Sequence, residues 1–180
     1  MADTDTGAPP RVVLVTASVL VVALAVAVAV FALTRPDAEA GPAPDGPLPL
    51  VAVPAPQAAE AGCTTLVDAA PATLTSNGRQ LARRPLADPA PKATAAWGTD
   101  DPVVLRCGLE RPPELTRTAQ LRVINGVQWL EVTQDQAATW YVVDREVYAA
   151  LTVPGSAGTG PLQTISDLVT AKLPVKPVRF

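Results

Sequence analysis

Histidine is absent from this chain. Its absence removes the commonest general base, the commonest metal ligand and the ordinary Ser-His and Cys-His nucleophile pairs. Cysteine is nearly absent too, with two residues in 180, which leaves zinc coordination incomplete when no imidazole can join. Aromatic side chains make up 4%, so a core must be built mainly from Val, Leu and Ala. The larger part of the chain is neutral overall: from Gln57 onward 12 Lys/Arg meet 12 Asp/Glu. A neutral domain argues against nucleic acid, which needs a basic face to displace counterions. The Gly-rich phosphate loop, the nucleophile elbow and the calcium loop are all missing. On these grounds no metal and no cofactor are expected.

What the chain has in excess is apolar length. Val12 to Leu33 is a run of 22 residues, apolar except for Thr16 and Ser18. A helix of that length reaches about 33 Å, enough for a hydrocarbon core of ~30 Å. The run shows no polar face, as a core helix would, and the two hydroxyls can bond back to the preceding turn. The reading is a transmembrane helix at 12–33 after a cytoplasmic tail at 1–11. The alternative is a cleaved signal peptide ending near Ala40, since Ala38-Glu39-Ala40 resembles a peptidase site, although such apolar regions usually span only about 7–15 residues. Arg11 and Arg35 flank the run almost symmetrically, so the positive-inside rule leaves orientation open. Arg outnumbers Lys by 11 to 3 among abundant Ala and Pro, a bias of high-GC bacterial genomes.

Residues 34–56 read as a linker, because seven prolines fall between Pro36 and Pro56 and favour extended polyproline II. Both cysteines, Cys63 and Cys107, lie beyond it. An even count behind a membrane-targeting segment points to a disulfide. Closing a loop of about 45 residues would contribute about 4 kcal/mol in the chain-entropy account. The alternative is a pair of buried thiols in a cytosolic domain. A disulfide would also orient the chain, with the N-terminus inside and residues 57–180 extracytoplasmic.

Within 57–180, Cys63, Leu66, Val67 and Ala70 form one stripe of a short helix that Pro71 limits. Asn77 to about Lys92 reads as a loop rich in Pro and Arg. Pro102 to Cys107 reads as a strand closed by Gly108. Leu121–Ile124 and Val127–Thr133 flank Asn125-Gly126, the signature of a type I′ hairpin. Thr139–Val143 and Val147–Val153 make a second pair across Asp144-Arg145. Leu162, Ile165, Leu168 and Val169 mark an amphipathic helix opened by Pro161 and stopped before Pro174. The expected fold is α+β, a domain of about 120 residues with two helices against a mostly antiparallel sheet of about five strands.

Ala95-Ala96-Trp97-Gly98, then Asp101-Pro102-Val103-Val104-Leu105-Arg106-Cys107-Gly108, then Val123 to Trp129, with Cys63 upstream, resemble the actinobacterial domain-of-unknown-function 3515 family. The resemblance runs from about Cys63 to the last helix, and the apolar segment and linker fit it. It implies an envelope-exposed protein anchored by one helix, in a family without an assigned activity. Its members look to be encoded often beside a D-alanine–D-alanine ligase, which implies cell-wall biology.

The candidate binding residues are Arg106, Trp97, Asp101, Arg83 and Arg84. Arg106, in mid-strand, either presents a guanidinium to an anion or sits on the sheet's outer face, paired with a carboxylate such as Asp101. Arg83 and Arg84, with Arg79, either meet anionic wall polymer or lipid head groups, or form a solvated loop. Trp97 either lines a pocket or packs the core. Asp100-Asp101 and Glu110/Glu114 lack the separation that glycoside hydrolysis needs, and no residue is assigned a catalytic role. The function expected is a non-catalytic accessory or interaction module of the cell envelope. Its partners are the bilayer, through 12–33, and an envelope protein or anionic wall polymer. The alternative is a small-ligand binder or an enzyme of cell-wall metabolism whose site is assembled from distant residues.

Overall fold

Two Asn-Gly pairs punctuate the chain, and each turns a hairpin. Asn77 and Gly78 have φ of 49° and 75°, Asn125 and Gly126 φ of 46° and 78°, positive angles that most side chains avoid and that a type I′ turn requires. The second pair joins β5 (Leu121–Ile124) to β6 (Val127–Gln134), as expected. The first joins β1 (Thr73–Ser76) to β2 (Arg79–Arg84), where a loop from Asn77 onward was expected. The correction has a clear cause: Arg-Gln-Leu-Ala-Arg-Arg lacks β-branched residues and is largely exposed, so no period-2 alternation announces β2.

These features come from a computed structural model that describes residues 21–26, 46–134 and 137–180. Residues 21–26 are helical, and the rest of the run 12–33 lies outside the described residues. Among the described residues no helix is long and apolar enough to cross a membrane. The chain divides into two units, Met1–Pro42 and Ala43–Phe180, and the second carries the fold.

That unit is one antiparallel sheet of eight strands in the order β1-β2-β3-β4-β8-β7-β6-β5, three strands more than expected. The additional ones are β1, β2 and β3 (Thr94–Trp97). At the centre β4 (Val103–Leu109) pairs with β3 and β8 (Tyr148–Pro154), and β7 (Ala137–Val142) joins β8 to β6. Two helices, α1 (Ala61–Asp68) and α2 (Gly160–Lys172), pack on one another and on the sheet. Together with the strand residues facing them, they bury the main core around Leu66, Trp97, Leu105, Trp129, Leu151 and Ile165. Burying one Trp is worth roughly 4–6 kcal/mol of gross transfer free energy, so two fully buried Trp residues carry much of an aromatic-poor core. Trp129 Nε1 donates to Ser166 Oγ at 2.9 Å, satisfying its polar edge.

Cys63 of α1 is bonded to Cys107 of β4, with both residues fully buried. The first helix is thus held to the sheet's central strand. One residue further, Gly108 (φ 83°) makes a bulge between the pairs Cys107–Ala149 and Leu109–Tyr148. A Cβ there would stand 2.2 Å from Ala58 N, so only glycine admits this close approach. Gln57 N donates to Gly108 O at 3.0 Å.

The opposite face has its own cover. Residues 46–56, read from composition as the end of the linker, lie against the sheet. Leu48 N donates to Pro85 O at 2.8 Å, Ala87 N donates to Leu48 O at 2.9 Å, and Arg106 Nη2 donates to Val51 O at 3.5 Å. Leu115, Tyr148 and Val178 close a smaller apolar cluster on this side with Leu130 and Ala150.

Asp144 and Arg145, expected between the two strands of the second pair, are 2% and 1% exposed. Their side chains pair at 2.7 Å. Asp144 Oδ2 accepts Gln128 N–H at 3.0 Å, Arg145 Nη2 donates to Gly126 O at 3.3 Å, and Asp144 O accepts Lys176 N–H at 2.9 Å. One buried pair therefore fastens the β5–β6 turn and the C-terminal segment to the β7–β8 connection. Arg145→Met leaves the carboxylate buried and uncompensated, with an expected loss of about 3–5 kcal/mol. Denaturant unfolding of the oxidised protein measures it, and a loss below about 1 kcal/mol, the range of exposed pairs, would show the pair to be dispensable.

Candidate functional site, a groove on the face opposite the helices

Register places Thr94, Arg106, Ala150, Tyr141, Leu130 and Leu121 in one row across six strands. Alternation sends this row away from the helices, since its neighbours Cys107, Ala149, Val142 and Trp129 face the main core. Ala150 stands between Arg106 and Tyr141, so a methyl group separates two long side chains and leaves a notch. In the adjacent row Thr139 opposes Thr152, their hydroxyls 3.3 Å apart. Together with Val51, Val53, Pro54 and Pro112-Pro113, these residues line a groove of about 400 Å³.

Arg106 is half-buried. Desolvation lowers its pKa, opposed by the nearby Tyr141, yet a guanidinium stays charged at any physiological pH. Among the described residues the ion pairs are Arg122–Glu131 and Arg145–Asp144, and Arg106 belongs to neither. Its Nε is buried with no hydrogen-bonding partner in the protein. Burial pushes the Tyr141 pKa up, Glu114 adds to the rise, and Arg106 opposes it. The phenol is therefore a proton donor across the neutral range. Guanidinium, phenol and two hydroxyls make a donor-rich floor suited to an oxyanion.

Of the five binding candidates, Arg106 alone lines this groove. Trp97 is fully buried, and its Nε1 donates to Pro71 O at 2.8 Å. Arg83 donates to Ala70 O and Val67 O, both at 3.2 Å, where a cation also complements the C-terminal end of α1. Arg84 donates to Gly98 O at 3.4 Å and to Gly46 O. Asp101 is exposed, accepts Ser156 Oγ at 3.2 Å, and lines a separate cavity with Asn77, Arg79 and Asp100. Tyr141, Thr139 and Thr152 were not among the candidates. Their signal was the shared parity of 139 with 141, which placed both on one face without saying which face. Among the described residues no group of three carboxylates or thiols converges to hold a metal ion.

The family model described as Protein of unknown function (DUF3515) matches residues 18–178. The chain belongs to this family. No curated protein and no solved structure matches it. The residues that carry the family resemblance now have physical roles. Trp97 fills the core, Cys107 bonds α1, Gly108 admits the chain at Ala58, and Asn125-Gly126 turns the hairpin whose Asn125 Nδ2 donates to Asp167 Oδ1 at 2.8 Å. Arg106 differs from these, since its polar end faces a groove.

Folding favours the neutral phenol of Tyr141. The stability this represents is present below the ordinary tyrosine pKa near 10.0 and is lost as pH rises through the higher folded value. Ultraviolet titration should show one phenol ionising above that ordinary value, a component removed by Tyr141→Phe. Arg106→Gln should move it higher still, because the guanidinium holds it down. A midpoint unaffected by Arg106→Gln would separate the two groups electrostatically.

Proposed function

We propose that this chain is a membrane-tethered protein of the bacterial cell envelope, single-pass through residues 12–33, with its folded domain extracytoplasmic. It acts there by binding rather than catalysis, as an accessory module for an envelope protein or an anionic wall polymer. The observation that carries the location is the buried Cys63–Cys107 bond behind a 22-residue apolar run. Disulfides persist in oxidising compartments and are rare in the cytosol, and the apolar run has the length of a bilayer. The Arg-rich, Ala- and Pro-rich composition supports an actinobacterial source.

Binding is supported by the kind of chemistry in the groove. Its floor offers a permanent cation and neutral hydroxyl donors, which hold an anion but do not take a proton near neutrality. Both thiols are consumed in the disulfide, and histidine is absent.

Protease added to intact, wall-stripped cells should degrade the domain, and thiol labelling of denatured, unreduced protein from the native membrane should find no free sulfhydryl. A domain protected until the membrane is permeabilised would sink the location, and two labelled thiols per chain would remove its basis.

A further inference from the structure

The far-face groove has more specific chemistry than general affinity for an envelope partner. Arg106 lines two cavities, the groove of about 400 Å³ and a smaller one of about 210 Å³ that also contains Lys92 and Thr94. The segment from Val51 to Ala55 borders both. A guanidinium held there gives up part of its hydration and receives in return one long bond to Val51 O. Its Nε is buried without a partner, although buried polar groups in folded proteins are nearly always paired. An ordinary structural arginine on a strand pairs with a carboxylate or extends its whole head into water, whereas Arg106 has no carboxylate partner among the described residues and keeps its Nε buried while its Nη2 end stays open to the groove.

Resting on the binding-module reading above, we propose that this groove binds a monoanionic oxyanion, a carboxylate or a phosphodiester, carried on an apolar or extended chain, with Arg106 as its anchor. The planar guanidinium fork matches two oxygens of either group, and charge-assisted bonds of this kind strengthen where water is excluded. Tyr141 supplies a further donor from across the notch at Ala150, and its raised pKa keeps the phenol protonated.

Charge count sets the valence. Glu110 lines the groove, and Glu114 acts on Tyr141, so a dianion meets two carboxylates. Arg111, the other cation of the groove, already donates to Leu115 O at 2.7 Å. The two carboxylates offset the two guanidinium charges, so the groove holds a single negative charge on the open Arg106 fork better than two. The walls set the rest of the ligand. Val51 and Val53 are 85% and 48% exposed, and with Pro54, Leu109 and Pro112 they give the groove apolar lining. A groove of about 400 Å³ accepts a ligand portion the size of a small molecule or a dipeptide.

The test uses the full chain in nanodiscs, following the Arg106 Nε–H resonance during titration with four probes. These are acetyl-Leu-Ala with a free carboxylate, its C-terminal amide, diethyl phosphate and ethyl phosphate. Saturable perturbation by the free peptide, by diethyl phosphate or by both is expected, with the amide and the dianionic ethyl phosphate at least tenfold weaker. The peptide alone would assign a chain terminus as ligand, and the diester alone a phosphodiester polymer. Calorimetry should find binding abolished in Arg106→Gln, at least tenfold weaker in Arg106→Lys and several-fold weaker in Tyr141→Phe. Glu110→Gln should raise affinity for ethyl phosphate. No saturable binding of either monoanion would overturn the proposal, as would undiminished binding by an Arg106→Gln protein with a wild-type melting profile. Topology is read on cells and binding on purified chain, so the location and the ligand fail separately.

Discussion

Strand β4 is buried from both sides along its length, with only Arg106 half-open, and the rest of the fold answers that burial. An antiparallel sheet commonly leaves one face to water, but here both faces around β4 are apolar and need cover. The helices take one face, with Cys63 bonded directly into the strand. Among the described residues of Ala43–Phe180, no helix packs on the opposite face. It is closed by irregular pieces: residues 46–56, the loop around Leu115, and the C-terminal segment. Irregular cover carries backbone groups that must be satisfied, hence the hydrogen bonds of Leu48, Gln57 and Lys176 to the domain.

Such cover is incomplete, and the incompleteness creates the groove. Helices present continuous ridges of side chains, whereas a single strand-like segment rich in Val, Pro and Ala covers a narrow strip. Arg106 lies beside that strip, where the chain passes close enough to remove water but supplies only one carbonyl. The segment that walls the groove is also the end of the Pro-rich stretch that follows the apolar run 12–33. A ligand in the groove would touch that segment directly.

Much of the framework was legible beforehand. Pro71 and Pro161 bounded the helices within a few residues, Asn125-Gly126 placed its turn, and two cysteines allowed only one internal pairing. The first hairpin was not legible, although Asn77-Gly78 is the same dipeptide, because its strands carry polar residues and short runs. Strand β3 was hidden in the family-like motif: Thr-Ala-Ala-Trp is buried on all four residues and shows no alternation. Among the candidate residues, Trp97 and Arg83 had been weighed between binding and structure, and the geometry gives each a structural partner.

Sequence alone was enough for the features that depend on neighbours in the chain: turn dipeptides, helix limits, the apolar run and the absence of any imidazole, whereas it left Cys63 and Cys107 open between a bond and two buried thiols. Tertiary structure alone decided which residues share a row. Arg106 and Tyr141 are 35 positions apart and meet only because β4, β8 and β7 lie side by side with Ala150 between them. Asp144 and Arg145 likewise read only as the connection between two strands until the C-terminal segment and the β5–β6 turn close over them. Period and propensity act over a few residues, whereas register and burial are set by strands that arrive from distant parts of the chain.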